Sequence, residues 1–372
     1  MKKMALFIYS MGAGGAERVV SNLLAHLAQN FQVHLILMNE NIFYEIPKGV
    51  KIHYLERSNP YENGILKLLK LPFLALRYKK LCFDLKIDLH FVWMNRPCYI
   101  ASLARIFGQK ARLIINECST PSVLYQNKSL KNQINKILIK KLYPMADFIY
   151  TNSSGAFYDL KDSFFIDASK MKILPNAINY ALIKEKMNEK ISLNEPFILS
   201  VGRLDKGKNH ALLINAYARL KRQDKNAPKL VIIGDGELKN ILNEQINKLN
   251  LQKDVLLLGF RKNPYAYMAK CEIFVFVSRF EGFSNVLIEA LACRKCVISS
   301  EHKSGAKELL GDNEFGILVP VDDEIATFKA MKMVLNDENL RKNYEIKASH
   351  RIQEFEAKNI AKGLIDELNA FL

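Results

Sequence analysis

Short apolar runs alternate with longer amphipathic ones along this chain. In the first half the apolar runs are Met4–Ser10, Val33–Met38, Leu89–Trp93, Leu113–Asn116, Phe148–Tyr150 and Lys172–Leu174. Near-continuous apolarity over so few residues suits strands covered on both faces of a parallel sheet. Between the first two, Glu17–Ala28 puts Val20, Leu23, Leu24 and Leu27 on one helical stripe. The pattern predicts a βαβ series. It then restarts with Phe197–Val201, Leu230–Ile233, Val255–Leu258, Ile273–Val277, Cys296–Ser299 and Ile317–Val319. Helices are predicted over His210–Lys221, Leu238–Leu249, Asn285–Ala292 and Glu324–Leu335. The polar stretch Ile183–Pro196 reads as a linker between two α/β domains. Two such domains facing each other leave a cleft, and open α/β sheets bind ligands beyond the carboxyl ends of their strands.

No run approaches the ~18 consecutive apolar residues of a membrane span. Lys2 and Lys3 before the apolar run Met4–Met11 imitate a signal peptide. However, a Gly-rich turn and the amphipathic helix from Glu17 follow at once, so a buried first strand is expected and the chain is expected to stay in the cytosol. Its six cysteines are then reduced thiols. Cys293-x-x-Cys296 has no second Cys or His pair to complete a zinc site, so packing is expected there and no metal.

The 372 residues are 49% apolar and 25% charged, which excludes disorder. The net charge is +16. Residues 1–182 hold 24 Lys+Arg and 12 Asp+Glu, a net +12, so most of the excess lies in the first half. Such an excess fits nucleic acid, an anionic membrane or phosphate-bearing ligands. Nucleic acid is disfavoured: there is no helix-turn-helix, zinc or RNP-type pattern, and the charge is unevenly spread.

Three motifs carry candidate chemistry. Gly12-Ala13-Gly14-Gly15-Ala16-Glu17 follows the first strand and allows close approach of a ligand to the backbone at a helix start. Glu17 stands where a dinucleotide fingerprint needs its third Gly, so a nicotinamide or flavin site is disfavoured; a ligand-free turn remains open. Val201-Gly202-Arg203-Leu204-Asp205-Lys206-Gly207-Lys208-Asn209 opens the second series. Arg203 and Lys208 suit a diphosphate, or are plain solvated charge. Glu281-Gly282-Phe283-Ser284-Asn285-Val286-Leu287-Ile288-Glu289 puts one carboxylate in a loop and another on the helix that follows. Paired carboxylates accept from sugar or ribose hydroxyls, and the amides of Phe283, Ser284 and Asn285 stand ready for an anion at the helix start. Ile288, Leu291 and Ala292 surround Glu289 with apolar neighbours, so its carboxylate is expected to have a partner.

Glu281-x7-Glu289, the V-G-R-L-D-K-G-K run and the Gly-rich first loop together resemble retaining glycosyltransferases of family 4. So do Leu174-Pro175-Asn176-Ala177, Gly234-Asp235-Gly236 and Gly316-Ile317-Leu318-Val319. The resemblance spans essentially the whole chain. It implies the GT-B fold, an α/β class of two Rossmann-like parallel-sheet domains facing across a cleft, with a C-terminal helix crossing back to the first. The implied domains are an acceptor and membrane-facing domain, 1–182, a nucleotide-sugar domain, 183–350, and a crossover helix, 351–372. Longer stretches, such as L-P-F-L-A-L-R-Y-K-K-L-C and I-N-E-C-S-T-P-S-V, are similar to family members that extend undecaprenyl-diphosphate-linked oligosaccharides for bacterial protein N-glycosylation. That similarity implies UDP-GalNAc as donor and undecaprenyl-diphosphate-linked GalNAc-diNAcBac as acceptor. UDP-GlcNAc or UDP-Gal, with another lipid-linked or lipopolysaccharide acceptor, stays open on the motifs alone.

The resemblance assigns Arg203 and Lys208 to the UDP diphosphate, Glu281 to the donor sugar and Glu289 to the ribose. Gly202, Gly282, Phe283, Ser284 and Asn285 complete the donor cradle. Gly14 and Gly15 face the diphosphate and acceptor, Glu117 lies near the transferred sugar, and Gly259, Phe260 and Arg261 line the base pocket. No D-x-D metal motif is present, so Arg203 and Lys208 are expected to replace a metal. Two basic amphipathic stretches are expected on an anionic membrane, at the cytoplasmic face of the bacterial inner membrane. One is Ile65–Leu81, with Lys67, Lys70, Arg77, Lys79 and Lys80, in which Pro72 should break the helix. The other is Lys128–Leu142. An ordinary packed surface helix is the competing reading.

Overall fold

The computed structural model describes residues 1–59, 62–302 and 304–372. The chain forms two compact units, Met1–Ala177 with Ala357–Leu372, and Ile178–Glu356.

The first unit carries seven strands: β1 (Lys3–Ile8), β2 (Gln32–Leu37), β3 (Lys51–Tyr54), β4 (Leu89–Trp93), β5 (Arg112–Glu117), β6 (Phe148–Thr151) and β7 (Met171–Ile173). They pair in parallel in the order β3-β2-β1-β4-β5-β6-β7. The continuous apolar runs of β1, β2 and β4 are buried on both faces, as their composition requires. β3, Lys-Ile-His-Tyr, is not signalled by an apolar run: it is a half-exposed edge strand and needs none. The helix Gly15–Asn30 buries Val20, Leu23, Leu24 and Leu27. The C-terminal helix Ala357–Ala370 packs on it through Leu364 and Leu368, and its Glu367 accepts from the Tyr150 hydroxyl at 2.6 Å.

The second unit is a six-stranded parallel sheet: β8 (Phe197–Val201), β9 (Lys229–Ile233), β10 (Val255–Gly259), β11 (Ile273–Phe276), β12 (Val297–Ser300) and β13 (Ile317–Val319). The order is β10-β9-β8-β11-β12-β13. Two apolar clusters lie against it, one around Leu213, Tyr217 and Met331, the other around Met268, Leu287 and Leu291.

The compact units are bounded a few residues away from the expected domain limits. The crossing falls at Ala177/Ile178, not at 182/183, and Ile183–Pro196 is not simply a linker. The helix Tyr180–Lys186 buries Ile183 in the second unit's core. The return falls at Glu356/Ala357, not at 350/351, because Ile352 and Phe355 belong to that same core.

Among the described residues no helix is long and apolar enough to cross a membrane. All six cysteines are free, and five of them are buried. Burial pushes the Cys293 thiol well up and that of Cys296 to about 12. These are packed thiols of low reactivity. Among the described residues no cluster of three or more His, Cys, Asp or Glu is placed to hold a metal ion.

Candidate functional site

In each sheet the strand order reverses next to the first strand of its series, between β1 and β4 in one unit and between β8 and β11 in the other. Loops leaving the carboxyl ends on either side of such a point diverge and open a crevice. The second and third motifs are the loops after β8 and β11, so this topology brings them together.

The β8 loop is stitched to its neighbours by backbone. Gly202 N–H donates to Ile233 at 2.9 Å, Leu204 N–H to Asp235 at 3.0 Å, and Gly234 N–H to the Gly259 carbonyl at 3.0 Å. Gly234 has φ +148, and a β-carbon there would lie 1.9 Å from the Gly202 carbonyl oxygen. Asp205 accepts from the Lys208 amide at 3.0 Å. This turns the lysine side chain across to the β11 loop, where it forms an ion pair with Glu281 and lies over the Phe276 ring, 5.3 Å from its centre. The Ser278 hydroxyl donates to Glu281 Oε1 at 2.7 Å. The β11 loop is tied back to the β8 loop, since Arg279 N–H donates to the Gly207 carbonyl at 2.8 Å and the Arg279 guanidinium to that of Lys206 at 3.0 Å. Lys208 and Glu281 are therefore held by two braced loops.

Arg203 differs: its side chain is 78% exposed and, among the described residues, meets a carboxylate only in a long contact with Asp205, 3.7 Å. The helix Asn285–Ala292 starts from Ser284. Gly305, at φ +81, lets the loop after β12 approach the Gly282 carbonyl and Phe283 closely. Glu289 is buried on this helix among apolar side chains, as its sequence neighbours imply, and it has an interaction partner. Gly259, Phe260 and Arg261 leave the edge strand β10. They join the cluster through Gly234, with Arg261 folded onto the Phe260 carbonyl.

Two histidines belong to this site that sequence reasoning did not single out. His210 starts the helix after the β8 loop, with Nε2 about 3.5 Å from where a Gly202 β-carbon would be. His302 leaves β12. Both are buried; the backbone of Gly202 and Arg203 stands against the His210 ring and that of Ser304 against the His302 ring, in strained rather than good hydrogen-bond geometry. Desolvation lowers the pKa of both, to about 4 for His210, with the Lys208 charge adding to the effect. The available signal was position: both follow a strand of the sheet at its carboxyl edge, in polar runs.

Neutral buried imidazoles have a consequence for stability. His90, in the first unit, is held at about 3 by desolvation, against an ordinary 6.5. An unfolded histidine takes up its proton near pH 6.5, while the folded His210 and His90 stay neutral. The unfolded chain therefore binds more protons as pH falls. Their contribution is full above about 6.5 and is lost as pH drops toward about 4 for His210 and about 3 for His90. Urea midpoints measured from pH 7 to pH 4 are expected to fall, and replacing His90 with Gln should flatten part of that slope.

In the first unit the expected residues fare less evenly. Glu17 folds back over the Gly-rich loop, and a β-carbon on Gly14 would lie 2.2 Å from its carboxylate. That negative charge sits where a dinucleotide diphosphate would, and it weighs against an anion directly on the Gly14–Gly15 turn. Glu117, expected near the transferred sugar, is already engaged within the first unit. It is 3% exposed, with Oε1 accepting from the Ser119 amide and hydroxyl (2.9 and 2.7 Å) and Oε2 from the Tyr143 hydroxyl (2.7 Å). Desolvation raises its pKa against these bonds.

The basic stretch is also partly spent. It is two helices, Gly64–Leu69 and Leu71–Leu85, broken at Lys70 with Pro72 in the first turn of the second. Lys70 pairs with Glu56 and Glu62, Lys79 donates to the Phe107 carbonyl at 2.6 Å, and Lys80 pairs with Asp84. Arg77 is exposed, and Lys67 is half-buried.

Two sheets each built around a reversal point, with basic and acidic loops converging at the second, are the arrangement expected of a two-domain sugar-nucleotide transferase. The chain belongs to glycosyltransferase family 4: the family model "Glycosyltransferase Family 4" matches residues 13–182, and "Glycosyl transferases group 1" matches residues 181–351. It is 57% identical, over 99% of its length and all of the relative's, to the N-acetylgalactosamine-N,N'-diacetylbacillosaminyl-diphospho-undecaprenol 4-alpha-N-acetylgalactosaminyltransferase of Campylobacter jejuni. A second C. jejuni relative is an alpha-1,4-N-acetyl-D-galactosaminyltransferase for GalNAc-alpha-(1->4)-GalNAc-alpha-(1->3)-diNAcBac-PP-undecaprenol. It is 32% identical over 97% of this chain and 96% of its own. The fold is GT-B, shared along the full length of both chains with Anabaena Alr3699/HepE in complex with UDP (TM-score 0.81, 19% identity) and with the sucrose-phosphate synthase of Thermosynechococcus elongatus (TM-score 0.84, 20% identity).

Proposed function

We propose that this enzyme moves N-acetylgalactosamine from UDP-GalNAc to the terminal GalNAc of undecaprenyl-diphosphate-linked GalNAc-diNAcBac, forming an α-1,4 linkage in a protein N-glycosylation pathway. The observation that carries the choice of sugars is the 57% identity, end to end, with a relative named for that transfer. The second unit supplies the donor chemistry. Breaking the sugar–phosphate bond builds negative charge on UDP and oxocarbenium character on the sugar, and fixed cations at the leaving diphosphate stabilise that charge. Lys208 rests on Glu281. A diphosphate competes for the lysine, while Ser278 keeps Glu281 in place to accept from donor-sugar hydroxyls. Exposed Arg203 is free to swing onto the same phosphates. The Phe283–Asn285 amides complete the cradle, Glu289 takes the ribose, and Gly259, Phe260 and Arg261 take the base.

Retention follows from attack on the face of departure, with the leaving phosphate receiving the acceptor's proton. The burial of Glu117 supports a route without a covalent glycosyl-enzyme. Arg203 and Lys208 do the work of a metal, so turnover in excess EDTA is expected to stay within about two-fold of the untreated rate, a negligible barrier change. Loss of turnover in EDTA, restored by a divalent cation, would contradict this.

The donor is tested by offering UDP-GalNAc, UDP-GlcNAc and UDP-Gal with the lipid-linked disaccharide and following UDP release. UDP-GalNAc is expected to have the highest kcat/KM, and preference for either of the others would reject the assignment.

The enzyme works as a peripheral protein on the cytoplasmic face of the inner membrane. Ile65, Leu69 and Phe73 are exposed together on the two helices that carry Lys67 and Arg77, an arrangement suited to an anionic surface. Sedimentation with anionic vesicles at moderate salt is expected, with loss of binding in Leu69→Glu/Phe73→Glu. A wild-type protein left in the supernatant would remove the claim.

A further inference from the structure

The first unit contains a groove of about 400 Å³ that none of the assigned roles uses. It lies between the helix Gly64–Leu69, the helix Asn95–Ile106 and the helix Leu130–Leu142. Its volume falls in the range of small-molecule sites, about 300–1,000 Å³. Leu68, Leu71, Ile134 and Leu138 form the apolar wall, with the rings of Tyr99 and Tyr125. At its mouth Ile65 is 68% exposed and Leu130 74% exposed, so an apolar track runs from the surface into the groove.

Its other end is charged and lies at the reversal point of the sheet. Asn95 and Arg96 start the helix after β4, and Met94 just before them holds φ +72, a strained conformation for a non-glycine residue. Asn95 donates to Glu117 at 3.3 Å and to the Tyr143 hydroxyl at 3.2 Å, which fixes this helix start. Arg96 is the unusual member. Its Nε, Nη1 and Nη2 are buried, and among the described residues none makes a hydrogen bond in good geometry; its charge is met by Glu56 at 3.3 Å. A buried guanidinium with unfilled donors is costly unless a ligand completes it. Lys67 and Lys131 line the same groove, and Lys70 stands beside Glu56 and Glu62. Among the described residues these four cations stand against Glu56, Glu62 and the more deeply buried Glu117, which leaves a local positive excess suited to an anion.

We propose that this groove binds the polyprenyl-diphosphate end of the lipid-linked acceptor. The chain's first isoprene units lie along Leu68, Ile134 and Leu138, and the diphosphate takes the donors of Arg96 with Lys67 and Lys131. This rests on the transferase reading above and adds where and how the lipid is held. Neither half suffices alone: an apolar groove selects no particular lipid, and a lone buried arginine selects no particular anion. Joined end to end at the sheet's reversal point, they match a molecule that is greasy on one side and doubly anionic on the other. Length selectivity follows, because the apolar wall contributes nothing to an acceptor with no chain to lay on it.

The test uses Ile134→Trp, which fills the groove, and Arg96→Gln, with two acceptors carrying the same saccharide. One is on a long polyprenyl diphosphate, the other on a short alkyl diphosphate. Ile134→Trp is expected to raise KM for the long acceptor by about ten-fold or more, equivalent to about 1.4 kcal/mol. It should leave KM for the UDP-sugar and for the short acceptor within about two-fold. Arg96→Gln should raise KM for both acceptors. Because Arg96 also meets Glu56, melting curves accompany both variants, and Leu138→Trp replaces either that fails to fold. Binding of geranylgeranyl diphosphate to the wild-type protein, followed by tyrosine fluorescence, gives a readout independent of turnover. A folded Ile134→Trp with wild-type KM for the long acceptor and undiminished geranylgeranyl diphosphate binding overturns the proposal. So does a variant whose sole defect is in binding phospholipid vesicles, since the groove would then hold bulk lipid. Failure of the wild type to extend either acceptor, with geranylgeranyl diphosphate still bound and displaced by Ile134→Trp, would count against the transferase reading and leave the groove's ligand standing.

Discussion

Lys208→Ala is expected to lower kcat at saturating donor by about 10²–10³-fold, the usual cost of removing a group aimed at developing transition-state charge. The melting temperature should move by only a few degrees, since the pair it breaks with Glu281 is partly solvated and Glu281 keeps its bond from Ser278. The braced loops make the expectation specific: Asp205 holds the Lys208 amide and Arg279 holds the loop that carries Glu281, so the lysine has little freedom to be replaced by a neighbour. Glu281→Ala should be similarly damaging. The double variant should cost less than the two single losses combined, because the residues act on one bound diphosphate sugar. Steady-state kinetics with UDP release as the signal checks this. Near-normal turnover in Lys208→Ala would remove the role given to it.

Gly234→Ala is expected to be the most destabilising small substitution in the second unit, at about 3 kcal/mol or more. Its β-carbon would sit 1.9 Å from the Gly202 carbonyl oxygen, and φ +148 is a backbone conformation that residues with side chains avoid. Relief requires the β8 and β9 loops to part, which would also displace Arg203 and Lys208. Gly259→Ala is the control: it has φ +72 but nothing within 4 Å of the added carbon. It should cost only about 1–2 kcal/mol of left-handed strain. Urea unfolding of both variants tests the difference, and equal costs would show that close approach is not what holds the loops together.

The parallel sheets were legible because buried strands need continuous apolar runs, and Met4–Ile8 or Ile273–Phe276 leaves little alternative. The edge strand Lys51–Tyr54 was not legible for the converse reason, since a half-exposed strand carries half the signal. Boundaries suffered where a polar stretch hides a few scattered apolar anchors. Ile183, with Met187, Ile191 and Leu193 packed beside it, ties the supposed linker to the second unit's core.

At the site, motif spacing located Lys208 and Glu281, and topology explains why loops 73 residues apart meet. What spacing could not convey was which charges already have partners. Lys70, Lys79 and Glu117 looked available in sequence and are engaged in the fold. Arg96 drew no notice in sequence, yet among the described residues its buried donors make no hydrogen bond in good geometry and its charge is met by Glu56. Nor were His210 and His302 singled out, whose burial beside the lysine–glutamate pair depends on three strands at once.

The central claim is tested most directly by incubating the purified enzyme with UDP-GalNAc and synthetic polyprenyl-diphosphate-linked mono-, di- and trisaccharides of the GalNAc-diNAcBac series, then reading products by mass spectrometry and linkage by NMR. A single N-acetylhexosamine added to the disaccharide, α-1,4-linked, with little extension of the monosaccharide or trisaccharide, is the predicted result. No extension of the disaccharide, or preferential extension of another member of the series, would contradict it.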